Sequence, residues 1–127
     1  RNPDVLLDGG HNPQCMGALR RSLEELYPNR KIFFLTGVLS DKDYPSMLGE
    51  LLPLSKQFVT ITPDSDRALS AGELAQYLRQ AGAEAQPCGS VSEGIRTVLD
   101  LAQPDDVVCV CGSLYMIGEA RHALGLC

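Results

Sequence analysis

The stretch Asp4-Val-Leu-Leu-Asp8-Gly9-Gly10-His11-Asn12-Pro13 decides how the chain is read. A short apolar run, Val5 to Leu7, stops at an acid, passes through two glycines and opens into a helix. Such a run fits a parallel strand covered on both faces. Glycine permits positive φ and lets a ligand or another backbone come close. Asn12 is a good N-cap, and Pro13 suits the first helical position, where no amide hydrogen is needed. Met16, Leu19, Leu23 and Leu26 then recur at the three-and-four spacing of one helix face. This order leaves Asp8, His11 and the helix-start amides at the carboxyl end of a strand, the edge on which open α/β sheets bind ligands. A capped turn with a surface histidine is the plainer alternative, because glycines and Asn-Pro punctuate turns everywhere. The strand-end acid, three residues before a histidine, fits that alternative less easily, and at this point the two readings stand about even.

The same alternation continues along the chain. Lys31 to Thr36 reads as a second strand, followed by the polar loop Gly37-Val-Leu-Ser-Asp41-Lys42-Asp43. Asp43 can cap a helix with Met47, Leu48, Leu51 and Leu52 on one face, closed or kinked by Pro53. A third strand is expected over Gln57 to Thr62, then a turn-rich loop holding Arg67. Two capping boxes, Ser70 with Glu73 and Ser90 with Glu93, start two further helices. The first carries Leu74, Tyr77 and Leu78 inward and ends at Gly82. The second carries Val91, Ile95, Val98 and Leu99 and stops before Pro104. A weak strand, Glu84 to Pro87, lies between them. Val107 to Cys111 is the most continuous apolar run and is expected to be central, and Gly112-Ser113 turns it into a last helix from Leu114 to about Ala123. Strands and helices alternating in this way predict a Rossmann-like, doubly wound α/β fold, a largely parallel sheet with helices on both faces.

Bulk properties narrow the function classes. A chain of 127 residues is one ordinary domain, and 44% hydrophobic with 21% charged residues is a globular composition. The net charge of −5, with scattered basic residues, argues against a nucleic-acid face. No apolar run approaches a membrane span, so a soluble, cytoplasmic chain is expected. Five cysteines, odd in number and without C-x-x-C spacing, do not read as a disulfide framework. Cys109 and Cys111 alternate with valines and read as small buried hydrophobes rather than metal ligands. The chain opens on Arg1-Asn2-Pro3 and runs at once into a strand, which suggests a piece of something longer.

Strand-to-helix loops gather on one edge of such a sheet, so Asp8, His11, Asn12, Lys42, Arg67 and Ser113 are expected to converge. Two cations, a histidine, an acid and several helix N-termini suit a ligand that mixes hydroxyls with carboxylates or phosphates. Singly, each has a plainer reading: Lys42 as a solvated charge, Arg67 as a surface salt bridge, Ser113 as an N-cap. There is no G-x-G-x-x-G after the first strand, and Gly112 to Gly118 has the wrong spacing for a Walker A loop, with Glu119 where Lys would stand. The chain therefore has no triphosphate cradle of its own.

Leu7-Asp8-Gly9-Gly10-His11-Asn12-Pro13, Gly37 with Asp41-Lys42-Asp43, Thr62-Pro63 with Arg67-Ala68-Leu69, and Cys111-Gly112-Ser113-Leu114-Tyr115 with Gly118-Glu119 together resemble the C-terminal domain of the folylpolyglutamate synthase/dihydrofolate synthase family, within the Mur ligases. The likeness runs over nearly the whole chain. Gly10 departs from it, since the family usually has alanine there. The resemblance implies residues 1–127 as the C-terminal domain of an ATP-dependent ligase that adds L-glutamate to folate or dihydropteroate through an acyl phosphate. It implies ATP contacts from Asp8, at the ribose, and from His11 and Asn12, and glutamate contacts from Lys42, Arg67 and Ser113. The P-loop and the ligands for Mg2+ would belong to an upstream domain, so no metal ligand and no complete catalytic set is expected here. By the same reading the domain folds alone but does not turn over. The other class of function left open is a free-standing nucleotide- or amino-acid-binding module without catalysis.

Overall fold

A computed structural model describes residues 3–9, 12–112 and 114–125. Five strands, β1 (Asp4–Leu7), β2 (Ile32–Thr36), β3 (Ser55–Thr60), β4 (Ala85–Pro87) and β5 (Val107–Cys111), alternate with five helices. The helices are α1 (Pro13–Leu26), α2 (Tyr44–Leu51), α3 (Ala71–Gln80), α4 (Val91–Leu101) and α5 (Leu114–Ala123). The strands form one sheet in the order β1-β5-β2-β3-β4, and every pairing is parallel.

The capping chemistry behaves as the residue types dictate. Asn12, Asp43, Ser70 and Ser90 each accept a hydrogen bond from a backbone N–H in the first turn of their helix. Ser70 Oγ also donates to Glu73 Oε1 at 3.0 Å. In the second box Glu93 reaches back instead to the amide of Gly89. Pro53 sits in a short 3-10 turn, Leu52–Leu54, that continues α2.

Side-chain alternation along β2 and β5 splits the core in two. Ile32, Phe34, Val107, Cys109 and Cys111 face α1, α2 and α3; Phe33, Leu35, Val108 and Val110 face α4 and α5. Phe34 and Phe58 stack at 5.4 Å on the first face. The sheet is thus covered on both sides, and the right-handed crossover rule fits the path: rightward steps use the first face, and the return from β4 to β5 uses the second.

Several expectations need adjustment. β5 is paired on both sides, but the middle strand is β2, because β5 inserts between β1 and β2. β1 is an edge strand, so Val5, Leu6 and Leu7 are half-buried rather than covered. Strand β3 starts and ends two residues earlier than the apolar run suggested, since Ile61 and Thr62 are drawn into the following loop. Leu26 ends α1 61% exposed, and Tyr27 packs against this part of the core instead. Tyr77 is half-buried, its ring edge-on to Tyr44 at 5.5 Å.

Gly94 explains how α4 lies so close to the sheet. A Cβ there would meet Ile61 Cγ2 and Leu35 Cδ1, both at 2.8 Å. Both neighbours are fully buried and have little room to move. No helix among the described residues is long and apolar enough to cross a membrane. Cys88, Cys109 and Cys111 are buried and free, and Cys15 is half-buried. The Cys111 side chain beside it, together with burial and the Asp8 carboxylate, pushes the Cys109 thiol well above the ordinary range.

Two outcomes follow for stability and reactivity. Gly94→Ala should lower the melting temperature, because overpacking of about 1–3 kcal/mol outweighs the helix-propensity gain of about 1 kcal/mol. An unchanged or higher melting temperature would mean that α4 stands further from the sheet. Alkylation at neutral pH, followed by peptide mass spectrometry, should label Cys15 while sparing Cys109 and Cys111 until denaturant is added; native labelling of either would contradict their burial.

Candidate functional site at the carboxyl edge

Chain direction reverses at β5. Helix α5 follows β5 onto one face, while α1 and α2 follow the neighbouring β1 and β2 onto the other. The loops at these strand ends therefore diverge and leave a crevice, the usual ligand position in open α/β sheets.

Glycines line its floor. Gly112 leaves β5 at φ +113°, and a Cβ there would fall 2.4 Å from Thr36 Oγ1 and 2.6 Å from the carbonyl oxygen of Gly37. At Gly37 a Cβ would lie 2.6 Å from Ile61 Cδ1 and 2.7 Å from the Ile61 carbonyl oxygen. Side chains are thus excluded at Gly112 and Gly37, and the segments leaving β5, β2 and β3 pack closely together there. Thr36 Oγ1 is buried there without a hydrogen-bond partner among the described residues.

Asp8 stands just past β1, its amide donating to the Val110 carbonyl at 2.9 Å and extending the ladder onto β5. The residue as a whole is half-buried. Asn12 caps α1: Oδ1 accepts from the Cys15 amide at 2.8 Å, which leaves the side-chain N–H donors as the part able to meet a ligand. His11 and Ser113, both expected at this edge, lie outside the described residues, as does Gly10.

Lys42 and Arg67 come from different loops that are fastened together. Leu39 and Ala68 form an isolated antiparallel bridge. The Ser40 amide and hydroxyl both donate to the Arg67 carbonyl, at 2.6 and 2.8 Å, and the Leu69 amide donates to the Val38 carbonyl at 3.0 Å. Val38, Leu39 and Leu69 are buried beneath. Across the top, Arg67 Nη1 donates to Asp41 Oδ2 at 2.8 Å. Within the second loop the Arg67 amide donates to Ser65 Oγ, and the Thr62 hydroxyl accepts from the Ala71 amide, securing the start of α3. Lys42 is held by its backbone, its amide on the Leu39 carbonyl and its own carbonyl accepting from Tyr44.

The structure thus brings Asp8 and Asn12 to one end of the crevice and Lys42 and Arg67 to the other. Two inter-strand steps, about 10 Å, separate the end of β1 from that of β2, whose loop carries Lys42, and three, about 14 Å, from that of β3, whose loop carries Arg67. That span suits a ligand pair with hydroxyls near the acid and carboxylates near the cations. Thr36, Ser40 and Asp41 were not picked out from the sequence as site residues. Asp41 had a local signal, an acid beside Lys42 in a polar loop, but nothing local pairs it with Arg67. No group of three potential metal ligands occurs among the described residues. A cleft of about 460 Å³ opens at the opposite, amino edge, lined in part by Leu23, Tyr27, Arg30 and Lys31. Its two cations already bond the carbonyls of Asp105 and Pro53.

Comparison with known proteins bears on the family and the fold. Residues 1–114 match the family model for the Mur ligase, glutamate ligase domain. A probable bifunctional folylpolyglutamate synthase/dihydropteroate synthase of Halobacterium salinarum is 34% identical over 94% of this chain, which covers 15% of that protein. A bifunctional folylpolyglutamate synthase/dihydrofolate synthase from Yersinia pestis, solved with AMPPNP and Mn, superposes with a TM-score of 0.87 at 31% identity, over 98% of this chain and 29% of that one. A synthase of the same name, solved with Mn, AMPPNP and L-glutamate, gives a TM-score of 0.85 at 30% identity, over 96% of this chain and 29% of that one. The chain thus spans less than a third of the length of these relatives. With the model matched over residues 1–114 and the doubly wound fold reproduced, the chain belongs to the glutamate ligase domain family of the Mur ligases.

Proposed function

We propose that this chain serves as the C-terminal domain of an ATP-dependent ligase that forms an amide between L-glutamate and the carboxyl group of a folate or dihydropteroate. The observation that carries this reading is the pair of loops bearing Lys42 and Arg67, locked together by the Leu39–Ala68 bridge, across the crevice from Asp8. Support comes from relatives whose names are folylpolyglutamate and dihydrofolate synthases, and from related structures holding AMPPNP, Mn and L-glutamate.

The chemistry divides between two ends of the crevice. In the first step the acceptor carboxylate attacks the γ-phosphorus of ATP, releasing ADP and forming an acyl phosphate. In the second the glutamate amine attacks the acyl carbon, phosphate departs, and the amine gives up its proton as the amide forms. Asp8 would accept hydrogen bonds from the ATP ribose hydroxyls, with His11 and the Asn12 amide beside it. Lys42, Arg67 and Ser113 would hold the carboxylates of the incoming glutamate and aim its amine at the acyl carbon. Phosphoryl and acyl transfer depend on such positioning more than on covalent help from the protein. A guanidinium and an ammonium suit carboxylates because charge-assisted hydrogen bonds to them are short and strong.

Mg2+ would supply charge neutralisation on the phosphates. In this reading its protein ligands, and the P-loop, are assigned to an upstream domain of the same polypeptide. In this scheme residues 1–127 form one domain that folds alone and does not turn over by itself. Buried free thiols suit a cytoplasmic setting, where reducing conditions keep them so.

Steady-state kinetics of the full-length ligase carrying this domain test the assignment. Asp8→Ala should raise KM for ATP, about tenfold for loss of charge-assisted ribose bonds, with KM for glutamate little changed. Arg67→Ala and Lys42→Ala should do the reverse. Parental constants in all three variants would remove these residues from the site, and glutamate ligation by residues 1–127 alone would refute the division between domains.

A further inference from the structure

Resting on the glutamate-site reading of Arg67, we infer that Asp41 is a positioning residue that sets the guanidinium of Arg67 for the substrate carboxylate. The geometry is specific. Arg67 reaches from the β3–α3 loop and Asp41 from the β2–α2 loop, and their side chains meet at 2.8 Å. Their backbones are already fixed relative to one another, since Ser40 donates twice to the Arg67 carbonyl and Leu39 bridges Ala68. The loops therefore do not need the ion pair to stay together. What the pair adds is side-chain direction.

The exposure of both partners supports this. The Arg67 side chain is 51% exposed and that of Asp41 47%, a setting in which an ion pair contributes little to stability. An arginine on a solvent-facing loop loses considerable rotamer entropy when it docks a ligand. A neighbouring carboxylate that holds one end of the guanidinium lowers that cost before the substrate arrives, because the planar fork can bind two carboxylates at different edges. Asp41 also adjoins Lys42, so one short turn both aims the arginine and carries the second cation. Lys42 itself has no ion pair among the described residues, which leaves Arg67 as the cation that Asp41 engages.

Full-length enzyme is the right material, with four proteins compared: parent, Asp41→Asn, Arg67→Ala and the double variant. Asp41→Asn should raise KM for glutamate about fivefold, the scale of an exposed ion pair, with kcat, KM for ATP and melting temperature held near the parent. Combined with Arg67→Ala it should add nothing further, because both changes remove the same positioned group. Should Asp41→Asn melt early, Asp41→Glu replaces it, and that variant must keep a near-parental KM for glutamate; a raised value overturns the proposal. An unchanged KM for glutamate in Asp41→Asn, with a raised one in Arg67→Ala, overturns the positioning role but leaves the site intact. Additive effects in the double variant also overturn it, since Asp41 would then act through something other than Arg67. No effect of Arg67→Ala on glutamate brings down the site reading itself, and the role of Asp41 with it.

Discussion

Strand β5 pairs with β2 along its whole length and with β1 over all but its last residue, and the rest of the molecule follows from that double pairing. Because β5 is the last strand in sequence, the chain must return across the second face of the sheet to reach its slot. The return carries α4, and α5 follows onto the same face, leaving the loops after β1 and β2 on the opposite side of the crevice. The crevice is therefore a consequence of strand order and crossover handedness, not of any particular loop sequence. The side chains that occupy it are what chemistry can be grafted onto.

Packing at the carboxyl ends reinforces the same constraint. Gly112, Gly37 and Gly94 are all positions where a single Cβ would collide with a neighbour, at 2.4, 2.6 and 2.8 Å respectively. At Gly112 and Gly37 a backbone carbonyl oxygen is the next atom met, at 2.6 and 2.7 Å, where relaxation is least available. The result at the strand ends is close packing of Gly112 and Gly37 against β2 and the residue after β3. Thr36 shows the other side of this economy: its hydroxyl is buried against Gly112 with no hydrogen-bond partner among the described residues. Such a group costs about 1–3 kcal/mol, and cores retain few of them.

Much of this was legible from residues alone, and the reasons separate by distance along the chain. Caps at Asn12, Asp43, Ser70 and Ser90 are local chemistry, and each behaves as its type predicts. The apolar runs at β2 and β5 marked buried parallel strands, and both are wholly buried. Alternation of strands and helices was enough for the fold class and for the convergence of Asp8, Lys42 and Arg67 on one edge. Strand order was harder, because whether β5 lies in the middle or beside it depends on which neighbour each run prefers. The half-burial of β1 follows from that same order and carries no local mark. The Asp41–Arg67 pair was invisible for a related reason: the residues are distant in sequence, and only the bridge between their loops brings them together.

The zipped loops bear on the part that the proposed reaction would ask of this domain, which is to hold an amino acid. Holding an amino acid by its carboxylates requires cations whose relative position is fixed, since a displacement of about 1 Å can cost a hundredfold in rate. Loops ordinarily lack that precision. Here the backbone bridge between Leu39 and Ala68, with buried Val38 and Leu69 beneath it, gives two loops the rigidity of a small sheet. Lys42 and Arg67 are thereby mounted on one platform rather than on two independent arms. A platform of this kind fixes the backbone positions from which its two cations project. That property is what a carrier of the incoming amino acid needs if the phosphates and the metal are handled elsewhere.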